Sequence, residues 1–97
     1  MFEPKPRSKK KVDHEALNSP LNRIPGMELA AVRDLLDLGF KNINDLVGRA
    51  PESIFEDLRK QRPETPKDRI AAFRLAVYFA ETPEPDPKKL HRWCWQD

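Results

Sequence analysis

Ninety-seven residues make one small domain, and a chain of this length buries only about 60–65% of its unfolded surface, which leaves little room for an enclosed active-site cavity. The formal charge of +2 is unevenly spread: Lys5, Arg7, Lys9, Lys10 and Lys11 against the single carboxylate of Glu3 put +4 on the first eleven residues, so the remainder carries −2. No stretch is apolar for long enough to span a bilayer, the N-terminus has charges and prolines where a signal peptide needs an apolar core, and the lone Cys94 has no internal disulfide partner; a cytoplasmic interaction module is the expectation.

Residues 1–12, with Pro4, Pro6 and Ser8 among the cations, lack the apolar side chains that offset ordering entropy and read as a disordered basic arm. Nonspecific attraction to nucleic acid is expected mostly there, through Lys5, Arg7, Lys9, Lys10 and Lys11. Residues 13–97 form the single domain. Leu17, Leu21 and Ile24 recur at helical spacing, and Ser19-Pro20 supplies an N-cap followed by a proline at the first helical position, so a short helix should run into Pro25.

Ile24-Pro25-Gly26-Met27 then predicts a tight turn. Gly26 can adopt angles closed to other residues, and the free N–H groups that open the next helix are a ready site for phosphate. That helix carries Leu29, Val32, Leu35, Leu36 and Leu38 inward and Arg33, Asp34 and Asp37 on its wet side, with Gly39 as a left-handed C-terminal cap and Phe40 folding back onto the core. Asn42 or Asn44 caps a short helix through Leu46 and Val47, and Ala50-Pro51 opens another whose buried stripe is Ile54, Phe55 and Leu58. It ends before Pro63, and residues 63–67 form a loop.

The segment Ile70 to Ala80 is apolar on nearly every side, as expected of a central helix, and Arg74 is its only charge. A guanidinium in that setting needs a carboxylate or carbonyl partner, because burial removes its hydration. Residues 82–87 are too proline-rich to be helical and read as an extended linker, until Asp86-Pro87 opens a last short helix leading to Trp93, Cys94 and Trp95. No strand pattern occurs, and the fold class expected is all-α.

Asn22-Arg-Ile-Pro-Gly-Met27 with Asp34-Leu-Leu-Asp-Leu-Gly-Phe40, then Ile43-Asn-Asp-Leu-Val-Gly48, Pro51-Glu52, Phe73-Arg-Leu-Ala-Val-Tyr-Phe-Ala80 and the Trp-rich C-terminus together resemble the small bacterial helix-hairpin-helix proteins of the pathogenicity locus family. The resemblance covers about residues 15 to 97 and rests on the joint order of the motifs. It implies a compact helical bundle built around helix-hairpin-helix units, and relatives sometimes carry labels such as mitomycin resistance protein. DNA-binding hairpins of this type follow the pattern hydrophobic-Pro-Gly-hydrophobic-Gly with a small or basic residue soon after. Here the second glycine position is Glu28 and the position two beyond is Ala30. A carboxylate repels phosphate, although in the first turn of a helix it interacts favourably with the dipole.

The remaining motifs favour plain structural roles. His91 and Cys94 could share a helix face, but a structural zinc site needs four ligands. Cys94 has no base and orienting group to make it a nucleophile. Glu52, Glu56, Asp57, Arg59 and Lys60 read as a solvated face with a Glu56 to Lys60 pair. Trp93 and Trp95 beside Lys88, Lys89 and Arg92 are either a stacking platform for unpaired bases or the lid of the core, and in so small a domain the lid is favoured.

Neither an enzyme nor a metal, cofactor or small-molecule site is expected. Two readings stay open. The first is a DNA-associated module making sequence-independent phosphate contacts through the arm and through Arg23, Pro25, Gly26, Met27, Arg33 and Lys41. The second is a protein-interaction module whose hairpin has lost phosphate binding. A positive surface about residues 23 to 33 favours the first, a neutral or negative one the second.

Overall fold

The computed structural model describes residues 13–96, all four regular elements of which are α-helices: α1 (His14–Asn18), α2 (Leu29–Asp37), α3 (Pro51–Gln61) and α4 (Arg69–Glu81). The 3-10 turns Pro20–Arg23 and Ile43–Leu46 lie between helices, two more, Pro87–Lys89 and Arg92–Trp95, follow α4, and no strand occurs among the described residues. The predicted basic arm lies outside the described residues.

α4 is the centre of the bundle. Its Ala71, Ala72, Phe73, Leu75, Ala76 and Val77 are all buried, and it packs against α2, α3 and the Ile43–Leu46 and Arg92–Trp95 turns. Apolar side chains on all faces give it neighbours on all faces, as the sequence requires of a helix with no wet side. Phe73 is fully buried, and Leu21, Ile24, Val32, Leu35, Leu46, Ile54 and Leu58 complete the core around it.

The opening of the domain differs from the sequence reading. Leu17 is not part of the inward stripe: α1 is a separate five-residue helix that buries Ala16 and leaves Leu17 exposed. Asp13 caps it by accepting from the amide of Ala16 at 3.1 Å. The chain breaks at Ser19, whose hydroxyl accepts from the amide of Leu21 at 3.1 Å with Pro20 at the first position of the turn. Residues 20–23 thus form a 3-10 turn rather than a longer helix, since Ser19 is extended and cannot carry the α1 ladder through.

The end of α2 is as expected. Gly39 has φ 97°, its amide donates to the carbonyl of Leu36 at 3.0 Å, and the amide of Phe40 donates to that of Leu35 at 3.0 Å. This pair of bonds is a Schellman cap, with Leu35 and Phe40 both buried in the core beneath it. Beyond it Asp45 Oδ2 accepts from the amides of Lys41 and Asn42 at 3.0 Å each and fixes the Ile43–Leu46 turn, leaving Val47 outside it and exposed.

The C-terminal helix is replaced by two 3-10 turns. Asp86 caps the first through the amide of Lys88 at 3.0 Å, with Pro87 at its first position. Trp95 packs on the core, its ring 5.1 Å from that of Tyr78 and its indole N–H donating to the carbonyl of Lys89 at 2.9 Å. Trp93 is 67% exposed. The lid reading therefore holds for Trp95 and fails for Trp93, because positions two apart in so tight a turn cannot face the same side.

Candidate interaction surface

The Pro25-Gly26 turn is closed by the amide of Met27 donating to the carbonyl of Ile24 at 3.2 Å, with Gly26 at φ 78°. A Cβ on Gly26 would lie 2.7 Å from the carbonyl oxygen of Leu90 and 3.2 Å from Leu75 Cδ2. The glycine thus serves both a left-handed backbone and the close approach of the C-terminal segment. Arg23 and Pro25 are exposed, and Met27 is partly buried against the core.

Glu28 is the N-cap of α2. Its backbone is extended and its side chain makes no capping bond; its carboxylate instead lies 3.5 Å from Arg69 Nε. Arg69 also bonds Asp34, and Asp34, in turn, bonds Arg62, one guanidinium on each carboxylate oxygen. Asp34 is 3% exposed. The sequence reading put it on the wet side of α2, and the structure overturns that: two arginines flanking the loop after α3 enclose it. Arg62 continues to Asp37, and Asp37 to Arg33, which also meets Asp13 at 3.2 Å and Glu15 at 2.9 Å.

Three guanidinium groups thus stand among five carboxylates. Amide donation from Ala16 and then the neighbouring Arg33 hold Asp13 below the usual carboxylate range, while Glu15, followed by Asp13, pushes Arg33 still higher. This face of α2 has no spare positive charge for a phosphate. Position 34 follows the buried Ala31 by three residues and precedes the partly buried Leu38 by four, which puts it at the edge of the apolar stripe, but the arginines that enclose it lie 28 and 35 positions away and no local pattern marks them.

Arg74, less than a quarter exposed, donates to the carbonyl of Trp95 at 2.6 Å and lies 3.9 Å from Glu52. It clamps the end of the C-terminal segment onto α4, the partnered role its surroundings demand. A second turn, Val47-Gly48-Arg49, follows the same logic as the first: Gly48 has φ 81°, and its amide donates to Glu81 Oε2 at 2.6 Å. The glycine between a short turn and Ala50-Pro51 marks the turn, whereas its partner Glu81, 33 positions on, has no local signal. Here the space about the glycine is open, with no atom within 4 Å of where a Cβ would stand.

Basic side chains at other sites are arranged differently. Arg49 lies over the ring of Phe40 at 5.2 Å and Arg59 over that of Phe55 at 5.6 Å. Arg23, Lys41, Lys88 and Lys89 are exposed and pair with no carboxylate among the described residues. The carbonyl of Leu90 at Gly26 seats the backbone that follows Lys88 and Lys89 against the turn that carries Arg23. His91 and Cys94 do not converge: the ring of His91 stacks on Trp93 at 4.4 Å, and Cys94 Sγ lies 3.1 Å from the carbonyl of Lys88. No group of three or more His, Cys, Asp or Glu among the described residues is arranged to hold a metal ion, and no described helix is long and apolar enough to cross a membrane.

No curated protein and no solved structure matches the chain. The model of one family does, the Pathogenicity locus family (Cdd1), over residues 14–97. That span takes in all four helices, the Pro25-Gly26 turn and the C-terminal segment docked on it, and the chain belongs to the Pathogenicity locus family.

Proposed function

We propose that the chain is a non-enzymatic helix-hairpin-helix module that associates with DNA through sequence-independent phosphate contacts in a cytoplasmic setting. In this reading the Pro25-Gly26 turn is a structural joint. The contacts come from the N-terminal arm and from Arg23, Lys41, Lys88 and Lys89, which stand with Lys67 among the exposed lysines and arginines that make no ion pair among the described residues. The observation that carries the reading is this division of the basic residues, since Arg33, Arg62, Arg69 and Arg74 are already held by carboxylates or carbonyls while these four are exposed without an acidic partner among the described residues. Contacts so few and so electrostatic give micromolar or weaker affinity near physiological salt, falling steeply as salt rises.

A second reading, a protein-interaction module, is the one that a neutral or negative surface about residues 23 to 33 favours, and it draws support from the surplus of carboxylates around Arg33, Arg62 and Arg69 and from Glu28 at the turn. Titration of the full chain against duplex and single-stranded DNA at two salt concentrations separates the two. Salt-sensitive binding that weakens on deletion of residues 1 to 11 supports the DNA module. No binding to either form at low salt overturns it and leaves the protein-interaction reading.

A further inference from the structure

The two tryptophans, two positions apart in a chain with no others, have opposite environments. Trp95 is folded into the core with its indole N–H satisfied, whereas Trp93 is 67% exposed. Trp93 is not loose, however: His91 lies against one face at 4.4 Å between ring centroids and 7° from parallel, so the pair is a flat platform whose outer face is open. A large aromatic left in water forgoes the burial that makes such residues valuable to a small core.

The platform's surroundings select its occupant. Lys88 and Lys89, both exposed, precede it across Leu90, and neither has a carboxylate partner among the described residues. The nearby carboxylate of Asp86 is turned onto the amide of Lys88. In sequence, Lys88, Lys89 and Arg92 outnumber Asp86 and Asp97. The segment is also tied to the body of the domain, by Leu90 on Gly26, by Trp95 against Tyr78, and by Arg74 on the carbonyl of Trp95. Trp93 lies three residues from Leu90, so its Cα is within about 11 Å of that of Leu90, at the turn bearing Arg23. A flat aromatic face beside unpaired cations on an anchored segment matches a polyanion with exposed bases, that is, a single strand; a duplex offers its charge but hides its bases.

We propose that Trp93, backed by His91, stacks an unpaired nucleobase, with Lys88 and Lys89 holding the flanking phosphates, and that the strand is single-stranded nucleic acid. This deepens the DNA-associated reading and rests on it for the anionic partner. The test is anisotropy of the full chain against labelled oligothymidylate and a duplex of equal length, with oligouridylate run in parallel to tell DNA from RNA as the source of the base. Trp93→Ala is expected to weaken single-strand binding roughly five- to hundredfold, the range of one base–aromatic stack, while duplex affinity and thermal midpoint stay unchanged; Trp93→Phe is expected to restore most of the loss. Unchanged single-strand affinity in Trp93→Ala, with wild-type binding intact, overturns the platform and leaves the DNA reading standing. Absence of binding to every oligonucleotide at low salt overturns both.

Discussion

The α2 face and the C-terminal segment hold basic residues in opposite conditions. On α2 the guanidinium groups of Arg33, Arg62 and Arg69 are spread over Asp13, Glu15, Glu28, Asp34 and Asp37, and the hub carboxylate of Asp34 is almost fully buried. In the C-terminal segment Lys88 and Lys89 stand in solvent beside an exposed tryptophan. Charge in the first region joins helices, and in the second it is available to a partner. Net charge alone does not distinguish them, because the distinction is whether folding brings a carboxylate within reach.

The largest effect should come from breaking the hub. Asp34→Ala removes the carboxylate that Arg62 and Arg69 share; because Arg62 is 39% exposed and keeps Asp37, and Arg69 keeps Glu28, the cost should be about 2–3 kcal/mol, below that of stranding a fully buried charge. Urea denaturation should show this as a lower midpoint at unchanged slope. Arg33→Ala, at a side chain about a third exposed, should cost about 1 kcal/mol or less. Equal costs for the two would mean that the Asp34 cluster is a surface network like its Arg33 extension.

The two glycine turns give the next contrast. Gly26 and Gly48 have nearly the same φ, 78° and 81°, so alanine at either meets a left-handed backbone penalty of roughly 1–2 kcal/mol. Only at Gly26 would the new Cβ lie 2.7 Å from a backbone carbonyl, that of Leu90. Gly26→Ala should therefore cost more than Gly48→Ala and displace the C-terminal segment, which Trp95 fluorescence would report. Equal stability losses with unchanged fluorescence would show that the segment is not seated on the turn.

Acid should weaken the α2 face and the Ile43–Leu46 turn. Asp13, through the amide of Ala16 and then Arg33, and Asp45, through the amides of Lys41 and Asn42, are both held below their ordinary value of 3.8. The folded state then binds fewer protons than the unfolded one, so this contribution is fully present above that value and is lost as pH falls through the lowered folded values. Urea midpoints at about pH 6 and about pH 3 should fall with acid, and Asp45→Asn should shrink the fall. A stability that rises on acidification would contradict these assignments.

What the sequence revealed follows from the range of the interactions involved. The α4 core, the Gly39 cap and the partnered state of Arg74 were legible because each rests on residues within one or two turns or on an unbroken apolar run. The burial of Asp34 was not: its partners are 28 and 35 positions away, and an aspartate on a helix reads as wet until the fold supplies them. Trp93 and Trp95 show the same limit at short range. A helix and a 3-10 turn assign neighbouring positions to different faces, and composition does not say which will form. The role of Gly26 was half legible, its backbone freedom from Pro25-Gly26 itself and its close neighbour, Leu90, only from the packed chain.

The smallest effect on the fold, and the sharpest on the comparison, is expected from the lysines. Lys88→Gln with Lys89→Gln removes two exposed charges that make no ion pair among the described residues, so stability should change by less than about 0.5 kcal/mol. Their work in holding phosphates lies in the salt dependence of binding: removing one lysine from a phosphate of a single strand lowers the slope of log affinity against log salt by about 0.7, hence by about 1.4 for the pair. The same reduction should follow for single strands of any sequence, because a lysine on a phosphate reads no base. Removing Arg33 by Arg33→Gln is the matched control on the other face, and there the salt slope should stay where it was, since that guanidinium is already shared among Asp13, Glu15 and Asp37. A slope that falls for Arg33→Gln and not for the lysine pair would reverse the assignment of the two regions, making the α2 face the one that meets the polyanion and the C-terminal segment the one that serves only the fold.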